Sequence, residues 1–403
     1  YKSGTFDNSN LGVYDETGEQ HKGTIKKTGN GTGYVFLKKG AKINGDVEIY
    51  DETNGDIYIS NAIGTPGKKT LIRHVGPATG SGYIRLAESC TINGTVTLEN
   101  SSNGGLIIET NISDGSHIAK LGSGTGYLKL AKGSSLGKNV KVTNESAGPI
   151  VVYGTLFNGS ILTRNGNSDG VLTVIGSVNG NVGIEMVESG RLNLQGTCQN
   201  STNVKYVSST NQLLQLTATK IKGNVYITNN SKGGCTFTGI MTDGCSLNIN
   251  GVGRGKTFMH GTVEGRANII NDTGGYISVS VPIKDGKTIT KTGGGTGYLA
   301  IGTGILKGDF TLDSDASGRF IFSAATEAET KVYRQPVIED GVYVKIRGKL
   351  KGFARFWIGV QVLGSMDIDV TSNPNVNLSW GYFQNGYSGY VDQIIPDGYT
   401  YKN

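Results

Sequence analysis

Proline, methionine, cysteine, histidine and tryptophan are all scarce, at 7, 4, 4, 4 and 2 of 403 residues. No apolar run approaches the roughly 18 residues that a membrane-crossing helix needs; the longest candidate, 356–364, is interrupted by Gln361. His21, His74, His117 and His260 are dispersed and stand in no fixed relation to an acid and a nucleophile, so triad chemistry has no support. Cys90, Cys198, Cys235 and Cys245 form no Cys-x-x-Cys pair and have no histidine at zinc-ligand spacing. No metal and no other cofactor is expected, and the thiols do not fix the redox compartment. Charge of neither sign dominates. The 38 Lys/Arg and 32 Asp/Glu leave a net charge of +6, and the cations are scattered beside acids instead of forming the stripe that nucleic acid requires. Neither a nucleic-acid partner nor a membrane span is expected.

Glycine is what the chain has in excess: 64 residues, against a usual share of about 7%. Without a strict triplet period this is not collagen, and regularly spaced Val, Ile and Leu argue against disorder. The composition implies a turn-rich all-β chain. Asn-x-Ser/Thr triplets recur, among them those at Asn30, Asn93, Asn111, Asn158 and Asn271, and with Asn, Ser and Thr so common, chance and turn chemistry account for most of them.

Internal repetition is the strongest signal. The pattern apolar-x-Gly-x-apolar-x-apolar begins at Ile43 (INGDVEI), Ile92, Leu136, Val178, Ile221, Val263 and Leu306, with separations of 49, 44, 42, 43, 42 and 43 residues. In the Leu136 copy the glycine has slipped by one place. Gly-rich turns ending in an aromatic stand in phase with it: GTGY at Tyr34, GSGY at Tyr83, and GTGY again at Tyr127 and Tyr298. Period two puts Val47 and Ile49 on one face and Glu48 on the other. The row equivalent to Val47 reads Val96, Val140, Val182, Val225, Ala267 and Phe310, apolar throughout, whereas the Glu48 row is mixed and mostly polar.

A unit too small to bury its own apolar face stacks on its neighbours. Residues 24–330 are therefore expected to form a β-solenoid, a parallel β-helix of seven repeats of about 43 residues. Each repeat is either one four-sided coil or two coils of about 22 residues, and an antiparallel array of hairpins is the structural rival. Residues 1–23 lack the repeat and are expected to be a cap or lead-in. The repeat also fades after 330, and 12 of the 32 aromatics fall in the last 73 residues, so 331–403 reads as a separate small C-terminal β domain.

Chemistry is harder to find. Trp357, Trp380, Tyr382, Tyr387 and Tyr390, set among Gly, Ser and Asn, offer the flat rings and amide donors that sugar binding uses; core packing or subunit contact explains them equally. Glu185 with Glu188, and Asp309 with Asp313 and Asp315, are the nearest approach to the paired carboxylates of a glycosidase, and no single outward row collects a lyase-like acid and base. Asp313–Gly318 resembles the opening of a calcium loop, but its twelfth position is Ala324. The outward positions Ile107, Val151 and Ile321 are apolar, which suggests a face covered by another subunit.

On the INGDVEI-type and GTGY-type repeats and the aromatic C-terminal region, the chain resembles, in architecture over 24–403, the β-helical tailspikes, tail fibres and adhesins of phages and bacteria. That resemblance implies a homotrimer on a cell or virion surface that binds, and sometimes cleaves, cell-surface polysaccharide. The expected function is a rigid extracellular or virion-surface fibre module recognising polysaccharide, leaning against an enzyme. A polysaccharide depolymerase with a site on the solenoid flank and a purely structural spacer are the alternatives.

Overall fold

In the computed structural model the chain is all-β, with no helix among the described residues. The structure describes residues 13–14, 20–21, 23–29, 31–37 and 46–280, the last apart from 78, 167–168, 200, 208–210, 218 and 265–266; beyond 280 it describes a series of strand segments. The chain divides into two compact units, residues 1–197 and 198–403.

In the first unit each coil carries a long strand, a three- or four-residue strand and, in most coils, a two-residue strand. Each stacks in parallel on its counterpart in the next coil. The long-strand sheet begins Gly23–Lys27, Val47–Asp51, Lys69–His74 and Thr95–Asn100; the short-strand sheet begins Val35–Leu37, Ile57–Ile59, Ile84–Leu86 and Leu106–Ile108. Leu106 pairs with Leu128 and Leu128 with Ile150, 22 residues apart each time. The 43-residue repeat is thus two coils, not one large one, and the parallel ladders exclude the array of hairpins. The third, two-residue sheet, as in Ser135–Leu136 on Thr155–Leu156, is too short to show a period in sequence. Ahead of the first ladder strand, Val13–Tyr14 pairs antiparallel with Gln20–His21.

The second unit repeats the scheme. Its long strands run from Thr202–Tyr206 and Asn224–Asn229 to Phe310–Ser314, and its short strands from Leu214–Leu216 to Phe320–Phe322. Strand segments past 331 pair in parallel on the same ladders: Tyr343–Arg347 on Phe310–Ser314, and Phe353–Phe356 between Phe320–Phe322 and Asn377–Trp380.

The core is a thin stack of apolar columns. Val47, Val96, Val140, Val182 and Val225 are each wholly buried, as the alternation requires, and each such side chain contributes roughly 1.5–3 kcal/mol. Glu48, Thr97, Lys141 and Gly183 stay at least partly exposed on the other face.

Glycine is explained at the corners, where coils stack backbone on backbone. A Cβ on Gly104 would lie 2.1 Å from the Gly82 carbonyl oxygen, one on Gly126 would lie 2.1 Å from that of Gly104, and one on Gly148 would lie 1.9 Å from that of Gly126. No real Cβ tolerates such a distance, so the second glycine is steric necessity in the turns at Gly82 and Gly126, whereas at Gly33, in the first such turn, a Cβ would meet nothing closer than 4.0 Å.

Where the long strand ends, the corner is polar and buried. Asn100 Oδ1 accepts the Ser102 N–H (2.9 Å) and hydroxyl (2.9 Å), the Ser102 hydroxyl oxygen accepts the Gly104 N–H (3.0 Å), and Asn100 Nδ2 donates to the Gly105 carbonyl (3.0 Å). Asp51/Thr53, Asn144/Ser146, Asn229/Ser231 and Asn271/Thr273 repeat the unit. The Asn-x-Ser/Thr triplets at 100, 144, 229 and 271 are therefore internal turn devices, their asparagines at most 2% exposed.

Candidate binding face

The short strands bury their first and third residues and turn the second outward. Along the first unit this outward column reads Phe36, Tyr58, Arg85, Ile107, Lys129 and Val151, in register from coil to coil. The apolar outward positions expected at Ile107 and Val151 are found there, half-buried.

Rings and charges on this column form a connected ladder. Tyr34 and Phe36 meet edge to face with centroids 6.0 Å apart, and Phe36 and Tyr58 lie 5.1 Å apart. The Arg85 guanidinium sits 5.5 Å above the Tyr58 ring and grips Glu109 through Nε and Nη2 at 2.9–3.0 Å. Further along, Lys129 Nζ lies 5.7 Å from the centre of the Tyr153 ring. On the flank, Tyr83 and Tyr127 come from alternate coils yet approach to 6.2 Å. They do so over Gly105, where a Cβ would fall 3.0 Å from one ring and 3.1 Å from the other. Burial, with the neighbouring Tyr83 adding to it, pushes the Tyr127 phenol above its ordinary value.

Cross-strand aromatic pairs stiffen sheets by roughly 0.2–1 kcal/mol each. Pairs that served only that end would be well covered. Here Tyr34 is 66% exposed and Phe36 45%, a large apolar surface left to solvent beside polar groups. The acids beside the ladder are occupied: both Glu109 oxygens accept from Arg85, and Asp56 Oδ1 accepts the Tyr83 N–H at 2.7 Å.

The second unit carries a smaller cluster on its own short-strand sheet. The Phe258 ring stacks on His260 (5.8 Å, 13° between planes), meets Tyr276 edge to face at 5.9 Å, and Lys256 Nζ lies 5.1 Å from the Tyr276 ring centre.

Of the aromatics singled out in sequence, Trp380 ends the strand Asn377–Trp380; Trp357, Tyr382, Tyr387 and Tyr390 lie outside the described residues, as do Asp309 and Asp315. Asp313 belongs to the strand Phe310–Ser314. Glu185 is on the long strand Gly183–Met186 and Glu188 in the corner that follows. Sequence reasoning missed the first-unit ladder because the GTGY tyrosines read as turn markers. Tabulating the middle residue of every short strand is the signal that finds it.

No group of three or more His, Cys, Asp or Glu among the described residues could hold a metal ion. The four cysteines are buried, and burial pushes the thiols of Cys90, Cys198 and Cys235 up to about 12, so none of these three is poised as a nucleophile. No helix among the described residues is long and apolar enough to cross a membrane. Comparison with protein-family models, curated proteins and solved structures gives no match.

Proposed function

We propose that the chain is a β-solenoid recognition module that binds polysaccharide along the outward face of its short-strand sheet, as part of a homo-oligomeric fibre on a cell or virion surface. The observation that carries this reading is the ladder Tyr34–Phe36–Tyr58–Arg85, with Tyr34 and Phe36 largely exposed. The C–H faces of pyranose rings are apolar and ring-sized, and exposed aromatics beside fixed polar groups suit them. Binding without cleavage is favoured because the described acids beside the ladder, Glu109 and Asp56, are already committed to Arg85 and to a backbone N–H, so no free carboxylate pair among the described residues flanks the rings. Glycan-array binding with a parallel assay for new reducing ends and unsaturated sugars tests it. Binding without new ends is expected, and Phe36→Ala with Tyr58→Ala should weaken it by about tenfold or more. Unchanged binding in that double variant, with folding intact, would refute the assignment of the face.

A further inference from the structure

One column in the first unit is polar where a solenoid interior is expected to be apolar. The last inward residues of successive long strands read Lys27, Asp51, His74, Asn100, Lys120, Asn144 and Arg164, each the register partner of the next. From Asp51 to Arg164 every one is wholly buried. Over these seven strands a side chain whose long reach ends in N–H donors alternates strictly with Asx; the next register partner, the buried Met186, ends the series.

The two kinds do different work. Each Asx caps a tight corner, with the short strand's flank reached five residues on, as from Asn100 to Gly105 or Asn144 to Pro149. Lys27, Lys120 and Arg164 begin corners two residues longer, reaching Tyr34, Tyr127 and Val171, and the His74 corner is longer still. Their side chains hydrogen-bond the carbonyls gathered around the column. Lys120 Nζ donates to Asn100 O (3.2 Å), Ser102 O (2.5 Å) and Leu121 O (3.1 Å). Arg164 Nη1 donates to Gly166 O (3.1 Å) and Ser189 O (3.2 Å). Lys27 donates to Gly33 O and to the Asp51 carboxylate. His74 Nδ1 accepts the Gly76 N–H (3.3 Å), which leaves Nε2–H to donate to Gly55 O (2.6 Å).

We propose that this alternation is a register device: a donor coil and an Asx coil are chemically unlike, each completes the hydrogen bonds of the other, and two coils are the smallest unit by which the solenoid can slip, lengthen or shorten. Two Asx coils in succession would leave corner carbonyls without the long donor, and two donor coils would crowd buried cations without a tight corner between them. A buried polar group left unsatisfied is destabilising, and in a stack held only by neighbour contacts several of them at one corner disfavour a one-coil slip.

Paired deletions in the full chain test this. Because Leu106, Leu128 and Ile150 share one register, removing residues 107–128 or 107–150 rejoins the short strand in phase and takes out one coil or two. The one-coil deletion sets Asn100 against Asn144; the two-coil deletion sets Asn100 against Arg164 and keeps the alternation. The larger deletion should be the milder, retaining one cooperative transition near the parent midpoint, while the smaller lowers the midpoint by roughly 5–10 °C or abolishes folding. A one-coil deletion as stable as the two-coil one overturns the proposal. Should both fail to fold, point variants decide: Lys120→Arg, which preserves a long donor, should melt above Lys120→Asn, and the reverse order, or equal midpoints, overturns the device.

Discussion

Asn100 and Lys120 are register partners on neighbouring strands, both wholly buried, and they divide one corner between them. The Lys120 ammonium donates to the main-chain carbonyl of Asn100 at 3.2 Å, while the Asn100 side chain turns away to cap its own loop. Carbonyls thus replace the water that a buried ammonium has lost.

Burial lowers the pKa of Lys120 from its ordinary 10.5 to about 8. As pH rises the folded state gives up this proton first, so between about 8 and 10.5 the unfolded chain holds more protons and stability rises across that window, by at most on the order of 3 kcal/mol. The neutral amine still offers two N–H groups to the same carbonyls. Denaturant unfolding at pH 7.5 and 10 should show parent stability gaining on Lys120→Arg, whose guanidinium does not titrate there; a difference independent of pH refutes the sign.

Asn144→Ala should cost about 2–4 kcal/mol in urea unfolding, because it strips acceptors from the Ser146 N–H (2.8 Å) and hydroxyl (2.6 Å) and a donor from the Gly148 carbonyl (3.0 Å), all buried. Ser146→Ala, which keeps the first and last of these, should cost less. Equal effects would show that the cap does not act through the asparagine.

Gly126→Ala and Gly133→Ala separate close approach from backbone conformation. At Gly133, φ is +88° and nothing lies within 4 Å of an added Cβ, so alanine there should cost about 1 kcal/mol. At Gly126 the Cβ would meet the Gly104 carbonyl oxygen at 2.1 Å, and the coils must separate to admit it. A cost of roughly 3 kcal/mol or more is expected by thermal or urea unfolding, and a Gly126→Ala protein no weaker than Gly133→Ala would contradict the stacking.

Arg85 and Glu109 are partly exposed, so a double-mutant cycle with Arg85→Ala and Glu109→Gln should return a stability coupling below about 1 kcal/mol. The same cycle read by polysaccharide affinity should show a larger coupling, since the pair holds the guanidinium over Tyr58. Coupling confined to stability would detach the pair from ligand recognition.

How much of this was legible beforehand depends on which atoms carry the signal. The Val47–Val96–Val140 column was readable because inward strand positions repeat with period two and every second coil places a valine at this one. The coil size was not readable from that column alone, since Val96 lies on a coil of the Asx kind and the donor coil between is marked by Lys120 and His74, which look like surface residues in a one-dimensional string. The ladder Phe36–Tyr58–Arg85 was hidden for a related reason. Outward positions vary freely, and only the stacking of coils turns three unlike residues into one surface. Past 330 the sequence pattern fades while Tyr343–Arg347 and Phe353–Phe356 still pair in parallel, because that pairing uses backbone groups that every residue except proline provides.

The longer corners of the donor coils have a counterpart outside. They deliver Tyr34, Tyr83 and Tyr127 to the flank of the outward face, while the Asx coils between deliver Asp56, Gly105 and Pro149. The backbones bearing these rings therefore recur at twice the strand spacing, about 9.6 Å. The buried hydrogen-bond alternation is thus printed on the surface as a grating of rings with a two-coil period.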